Sequence, residues 1–191
     1  NLINNLSLKS ATGAASEGNV SLEIYQVISV NFTTELINWS TGNVNSATSW
    51  AYLNSEGVNI NNISFSNVTR GLVLESLSTL NISVNITSNK NASVFLDGST
   101  VVVPASNFSW KANQDSVTND FGSPAGQPGT CAILRAAAWM AVNTTNNFNL
   151  CPNMGFQDKE DEIELDLAVN ISINSPPGPK IATITAIAYP L

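Results

Sequence analysis

The chain has 191 residues with 7 basic and 14 acidic side chains, a net charge of −7, and no histidine. That length fits one domain with room for a sizeable core. The acidic balance disfavours nucleic acid, which a basic face must recognise, and the missing imidazole removes the usual general base and the commonest metal ligand.

Period-two alternation of apolar and polar residues dominates, so the elements read as strands. Leu6-Ser7-Leu8-Lys9-Ser10 alternates and runs into a small-residue hinge at Ala11-Thr12-Gly13-Ala14-Ala15. Residues 20–34 predict a strand or bent pair with Val20, Leu22 and Ile24 on one face, and residues 37–53 predict a loop-rich crossing. Ile60 and residues 63–69 predict another strand, and residues 72–87 predict two more after Arg70-Gly71. Within the latter, Leu80, Ile82, Val84 and Ile86 alternate with Asn81, Ser83, Asn85 and Thr87, the clearest strand pattern in the chain. Residues 92–96 and 100–103 predict a hairpin about Asp97-Gly98, and Phe108-Ser109-Trp110 a short strand.

Residues 113–130 crowd Asn, Asp, Gly, Pro and Ser and predict a loop. The Ala-rich residues 131–142 predict a short helix with Thr130 as N-cap, although Trp139 and Val142 suit a strand as well. Residues 161–173 alternate again, Ser175-Pro176-Pro177-Gly178-Pro179 turns the chain, and residues 180–189 supply a last strand. Many short strands with frequent turn signals and little helical period predict an all-β fold, a β-sandwich. Residues 1–18 would form an extended N-terminal strand and hinge, and residues 19–191 the sandwich, with 113–158 a loop-rich excursion.

Charged residues are only 11% of the chain, and 27 Asn with 38 Ser and Thr take their place. The acceptor pattern Asn-x-Ser/Thr for N-linked sugar marks Asn5, Asn19, Asn31, Asn38, Asn62, Asn67, Asn81, Asn85, Asn91, Asn107, Asn143 and Asn170. Composition alone would produce about five such matches by chance. The excess points to a glycoprotein in which bulky sugars do the solubilising work that charges usually do. The plainer alternative is that these residues are simply common in turns and on exposed strand faces. Cys131 and Cys151 predict one disulfide in an exported chain. The start of the chain lacks the charged and apolar regions of a secretion signal, so export would require the numbering to begin after cleavage. No apolar run reaches the ~18 residues that a membrane-spanning helix needs.

Asp158, Glu160, Asp161, Glu162, Glu164 and Asp166 fall within nine residues. Calcium would take several such oxygens, with Asp158, Glu160, Asp161 and Glu162 as the candidate ligands. The spacing matches no EF-hand loop. Because Glu162, Glu164 and Asp166 share the face opposite Ile163, Leu165 and Leu167, a solvated edge or surface strand guarded against aggregation is the simpler expectation. Without histidine no Ser-His-Asp or Cys-His arrangement exists, and no glycine-rich phosphate loop is present. The expectation is no enzyme and no cofactor beyond the glycans. Trp39, Trp50, Trp110 and Trp139 could stack on sugar in a lectin-like site, but such residues are usually core or line a glycan-covered surface.

A leading strand separated from the body by Ala14-Ala15-Ser16-Glu17-Gly18 can stay at home or reach into a neighbour. In the second case Leu6 and Leu8 fill alternate pockets and the added strand completes backbone hydrogen bonding. Such head-to-tail donation is heterologous and gives an open homopolymer.

The stretch Ile63-Ser64-Phe65-Ser66-Asn67-Val68-Thr69-Arg70-Gly71-Leu72-Val73-Leu74-Glu75, with Leu80 to Ala92 after it and the closing Pro176 to Ala186, resembles secreted archaeal β-sandwich surface proteins. In layout it is similar to the TasA-like group of archaeal bundling pilins and extracellular threads. That resemblance covers about half the chain and leaves the 113–158 excursion unmatched. It implies a jelly-roll-like subunit joined by donor strands, glycosylated, extracellular and without catalytic residues. The alternative expectation is a cell-surface or S-layer-type sandwich that binds sugar or a partner protein without polymerising.

Overall fold

The computed structural model describes residues 26–96, 103–114, 130–143, 147–157 and 161–191. The larger antiparallel sheet contains β1 (Val30–Thr34), β3 (Trp50–Asn54), β4 (Asn59–Ile60), β6 (Leu72–Ser76), β8 (Phe108–Asn113), β9 (Met140–Ala141) and β11 (Glu162–Ser172). The smaller sheet runs β10 (Phe148–Met154), β7 (Ile82–Ser88), β12 (Ile184–Pro190), and a short ribbon pairs β2 (Asn43–Val44) with β5 (Asn62–Ile63). The expected all-β sandwich is the observed architecture.

Strand β11 organises the larger sheet. Its 11 residues hold two strands end to end along one edge. There β6 pairs Glu162–Leu165 and β3 pairs Ala168–Ser172, while β8 pairs Glu164–Val169 along the other edge. Alternation then sorts the side chains. Ile163, Leu165, Leu167 and Val169 turn inward and share one buried cluster with Ile82, Val84 and Ile86 of β7. Each such aliphatic side chain contributes on the order of 2 kcal/mol through burial. Phe95, from the short helix α1 (Ala92–Leu96), stacks on Phe108 with ring centroids 4.5 Å apart and adds to the same core.

The strands expected within 72–87, at 108–110, 161–173 and 180–189 are present as β6, β7, β8, β11 and β12. Other expectations are corrected. Residues 37–53 are not all loop, because Trp50 to Asn54 pair with β11 as β3. The strand expected over 63–69 stops at Ile63: Asn61 (φ 56°) and Ser64 (φ 73°) adopt the left-handed conformation, which breaks an extended run. Residues 92–96 form α1 rather than a hairpin arm. The Asn91 side chain accepts a hydrogen bond from the Val94 amide at 3.0 Å, an N-cap that offsets the strand preference of the residues behind it. The rest of that hairpin, the turn and residues 100–102, lies outside the described residues.

Residues 131–142 form no helix for Thr130 to cap, and among the described residues its buried hydroxyl oxygen has no hydrogen-bond partner. The backbone groups of this segment go to neighbouring strands instead. The Arg135 and Val142 amides donate to Leu150 and Phe108, and the Ala136 carbonyl accepts from Ala112. The Cys131–Cys151 disulfide forms as expected, with Cα atoms 5.7 Å apart, and anchors the start of the segment to β10. Of residues 20–34, the described part becomes a strand only from Val30. The N-terminal unit at 1–18, with Leu6, Leu8, Asn5 and Asn19, lies outside the described residues. No helix among the described residues is long and apolar enough to cross a membrane.

Candidate functional site

Two features stand out: an open groove where the sheets end, and a buried acidic row behind β11. The groove comes first because its chemistry is that of a sheet edge. Among the described residues, β1 has β6 as its one partner and β12 has β7. On its other side each has no strand partner among those residues, an arrangement that leaves edge amides and carbonyls to accept an added strand. Between these edges lies a cavity of about 480 Å³. Val30 and Phe32 form one wall, Ile184 and Ala186 the other, and Leu72, Leu74 and Leu167 the floor.

Burial changes across this region. Ile82, Val84 and Ile86 on the inner strand β7 are at most 1% exposed. The inward-facing Val30, Phe32, Ile184, Ala186 and Ala188 of the two edges are only partly buried. The two edges differ in quality. Strand β1 spans five residues and its register shifts between Phe32 and Thr34. Strand β12 keeps an unbroken register from Ile184 to Pro190 against β7 and carries no charge over that span. Edges are usually guarded by bulges, charges, proline or short length; β12 has no bulge and no charge, and its one proline, Pro190, stands at its last position.

The acidic row corrects an expectation. Glu162, Glu164 and Asp166 do not face solvent; they are 8%, 7% and 2% exposed. The reason is that β11 is an interior strand and its outer face is closed over by the ends of its neighbours. Where β3 and β6 meet, the Ser55 amide donates to the Leu167 carbonyl at 2.9 Å. The Ser55 hydroxyl accepts from the Leu167 amide at 3.0 Å and donates to Asp166 Oδ1 at 2.7 Å. The Gly71 amide donates to Glu164 Oε1 at 2.7 Å. Lys111, directly opposite Asp166 on β8, pairs with Glu56 and lies 5.2 Å from the Trp139 ring centroid. Burial raises the Asp166 carboxyl from the ordinary carboxylate range to about 6, with Glu164 and Glu56 adding to the rise and the Ser55 hydroxyl and Lys111 opposing it.

Gly71 is required by this closure. A Cβ there would stand 2.6 Å from the Leu165 carbonyl oxygen and 3.0 Å from Asp166 Oδ1. Backbone of the central strand cannot yield, so Gly71→Ala is expected to cost about 2 kcal/mol, read as a lower urea midpoint with an unchanged slope.

Of the four calcium candidates, Asp158 and Glu160 lie outside the described residues, Asp161 is half-buried and Glu162 is buried. Among the described residues no three acidic or cysteine side chains converge as metal ligands. The tryptophans do not converge either. Trp110 is core, Trp39 donates its ring N–H to the Asn54 carbonyl, Trp139 is half-buried beside Lys111, and Trp50 is exposed.

The acceptor asparagines behave as a group. Asn31, Asn38, Asn67, Asn81 and Asn143 are exposed, and Asn62, Asn85, Asn91, Asn107 and Asn170 are half-buried. None of these is buried, whereas Asn54, outside any acceptor pattern, is 2% exposed and its side chain holds the Glu56 and Val58 amides. In a strand, Asn and the hydroxyl two residues on share one face while the middle residue takes the other. Phe32, Ile82, Ile86 and Phe108 are such middle residues, turned toward the core.

Comparison of the chain with protein-family models, with curated proteins and with solved structures finds no match.

Proposed function

We propose that this chain is a structural subunit of an extracellular, N-glycosylated filament in which each copy lays a strand into the groove of the next. The observation that carries this reading is the groove between β1 and β12, with its partly buried walls and a seven-residue edge that has no bulge and no charge. A strand added along β12 continues the smaller sheet and places alternate side chains over Leu72, Leu74 and Leu167. Leu6 and Leu8 supply that alternation. Ten residues extended at about 3.3 Å each span roughly 30 Å, more than β12 itself needs. The contact is heterologous, so it propagates as an open polymer.

Export is supported by the disulfide, which belongs to an oxidising compartment, and by the finding that each described acceptor asparagine is exposed or half-buried rather than buried. The reading assigns no reaction to the protein.

Deleting residues 1–12 is expected to abolish filaments under the electron microscope and leave a folded monomer. A second variant, Ala186→Trp, fills the groove from its wall and is expected to block assembly with the donor segment intact. Filaments that persist in both variants would refute strand donation. Intact protein that forms no filaments would instead favour a cell-surface or S-layer-type domain that binds sugar or a partner protein without polymerising.

A further inference from the structure

Along the outer face of the larger sheet, the acceptor pattern Asn170-Ile171-Ser172 lies beside an aromatic pair. Tyr52 is directly opposite Asn170, and Trp50 is directly opposite Ser172. Ile60 flanks Tyr52 on its other side. Directly opposed side chains in an antiparallel pair stand about 5 Å apart at Cβ, and diagonal ones about 7–8 Å. Both rings are therefore within reach of the first sugars attached at Asn170. Trp50 and Ile60 are 42% and 43% exposed, so this face offers apolar surface to a group attached beside it.

The contrast with Asn85 sharpens the point. Asn85 Oδ1 is held by the Asn149 amide at 2.8 Å. Among the described residues no hydrogen bond engages the side-chain amide of Asn170. Directly opposite Asn85 stand Ile187 and Asn149, with one ring, Tyr189, only at the diagonal, whereas Asn170 has Tyr52 directly opposite and Trp50 at the diagonal. Tyr52 and Trp50 thus form an aromatic shelf at this acceptor, and the apolar C–H face of a pyranose ring packs on such a surface while its hydroxyls stay in water.

We infer that Asn170 carries an N-linked glycan whose inner sugars lie on Tyr52 and Trp50, making the sugar a packed part of the outer sheet. This rests on the glycoprotein reading above. Attachment joins Asn170 Nδ2 to the anomeric carbon of a phosphate-activated sugar donor; the donor's carbon–oxygen bond breaks, the phosphate leaves with that bond's electron pair, and the amide loses one proton.

The test uses the secreted protein as produced by its own host. Glycopeptide mass spectrometry reports occupancy at Asn170, and acrylamide quenching reports access to Trp50, the one exposed tryptophan among the described residues. In the occupied protein Trp50 is shielded. Ser172→Ala or Asn170→Gln removes the sugar, and quenching rises to the level set by 42% exposure; a Trp50→Phe background, which removes the reporter, abolishes the change. Occupancy at Asn170 with quenching unchanged by either variant overturns the shelf. A bare Asn170 with sugar at other acceptors also overturns it and leaves the glycoprotein reading standing, whereas bare acceptors throughout overturn both.

Discussion

Asp166→Asn is expected to stabilise the protein at pH 7 by up to about 3 kcal/mol and to flatten its stability between pH 4 and 6. The carboxyl titrates at about 6 in the folded chain against 3.8 in an exposed one. Between those values the folded state binds more protons than the unfolded state, so stability falls as pH rises through that window. Below it the neutral acid carries no penalty. Above it the full penalty of a buried charge is present, about 2.2 pH units at about 1.4 kcal/mol each. Asparagine keeps the oxygen that accepts the Ser55 hydroxyl and carries no charge. Urea unfolding of both proteins at pH 4, 5, 6 and 7 measures the difference. Equal pH slopes in the two proteins would mean that Asp166 is not held as a buried acid.

Removing the disulfide is expected to have an effect of similar size. Cys131 and Cys151 are separated by 20 residues, and both are buried. Closing a loop of that length removes unfolded-state entropy equivalent to about 3 kcal/mol. The bond also holds a segment with no regular structure of its own: Cys131 bridges Met154, and the Gly155 amide donates to Thr130. The Cys131→Ala, Cys151→Ala double variant should therefore unfold at a lower denaturant concentration while keeping its strand spectrum. An unchanged midpoint would show that the surrounding hydrogen bonds already restrain the segment.

Legibility followed the reach of the signals. Strand β7 was plain because Ile82, Val84 and Ile86 alternate with polar residues in one unbroken run. Strand β3 was hidden because its five residues sit among serines, threonines and asparagines, and its strand state comes from pairing with β11 more than a hundred positions later. Helix α1 was misread because Phe95 and Leu96 suit a strand; the Asn91 cap is the local signal that distinguishes the two. The groove had no sequence signal of its own, since its walls come from residues 30–32 and 184–186 and its floor from elements between them.

Composition and spacing by themselves determined that the chain is all-β, that its two cysteines pair, and that the acceptor Asn85 lies on the polar face of its strand. These follow from period-two alternation and from local chemistry, which act over a few residues. Only the tertiary structure decided that the Glu162, Glu164 and Asp166 face is covered and that, among the described residues, no strand pairs with the outer edges of β1 and β12. Alternation separates the two faces of a strand, but whether the polar face meets water or other backbone depends on which distant segments close over it. For β11 those segments are the Ser55 and Gly71 turns, and for the groove no described segment does so.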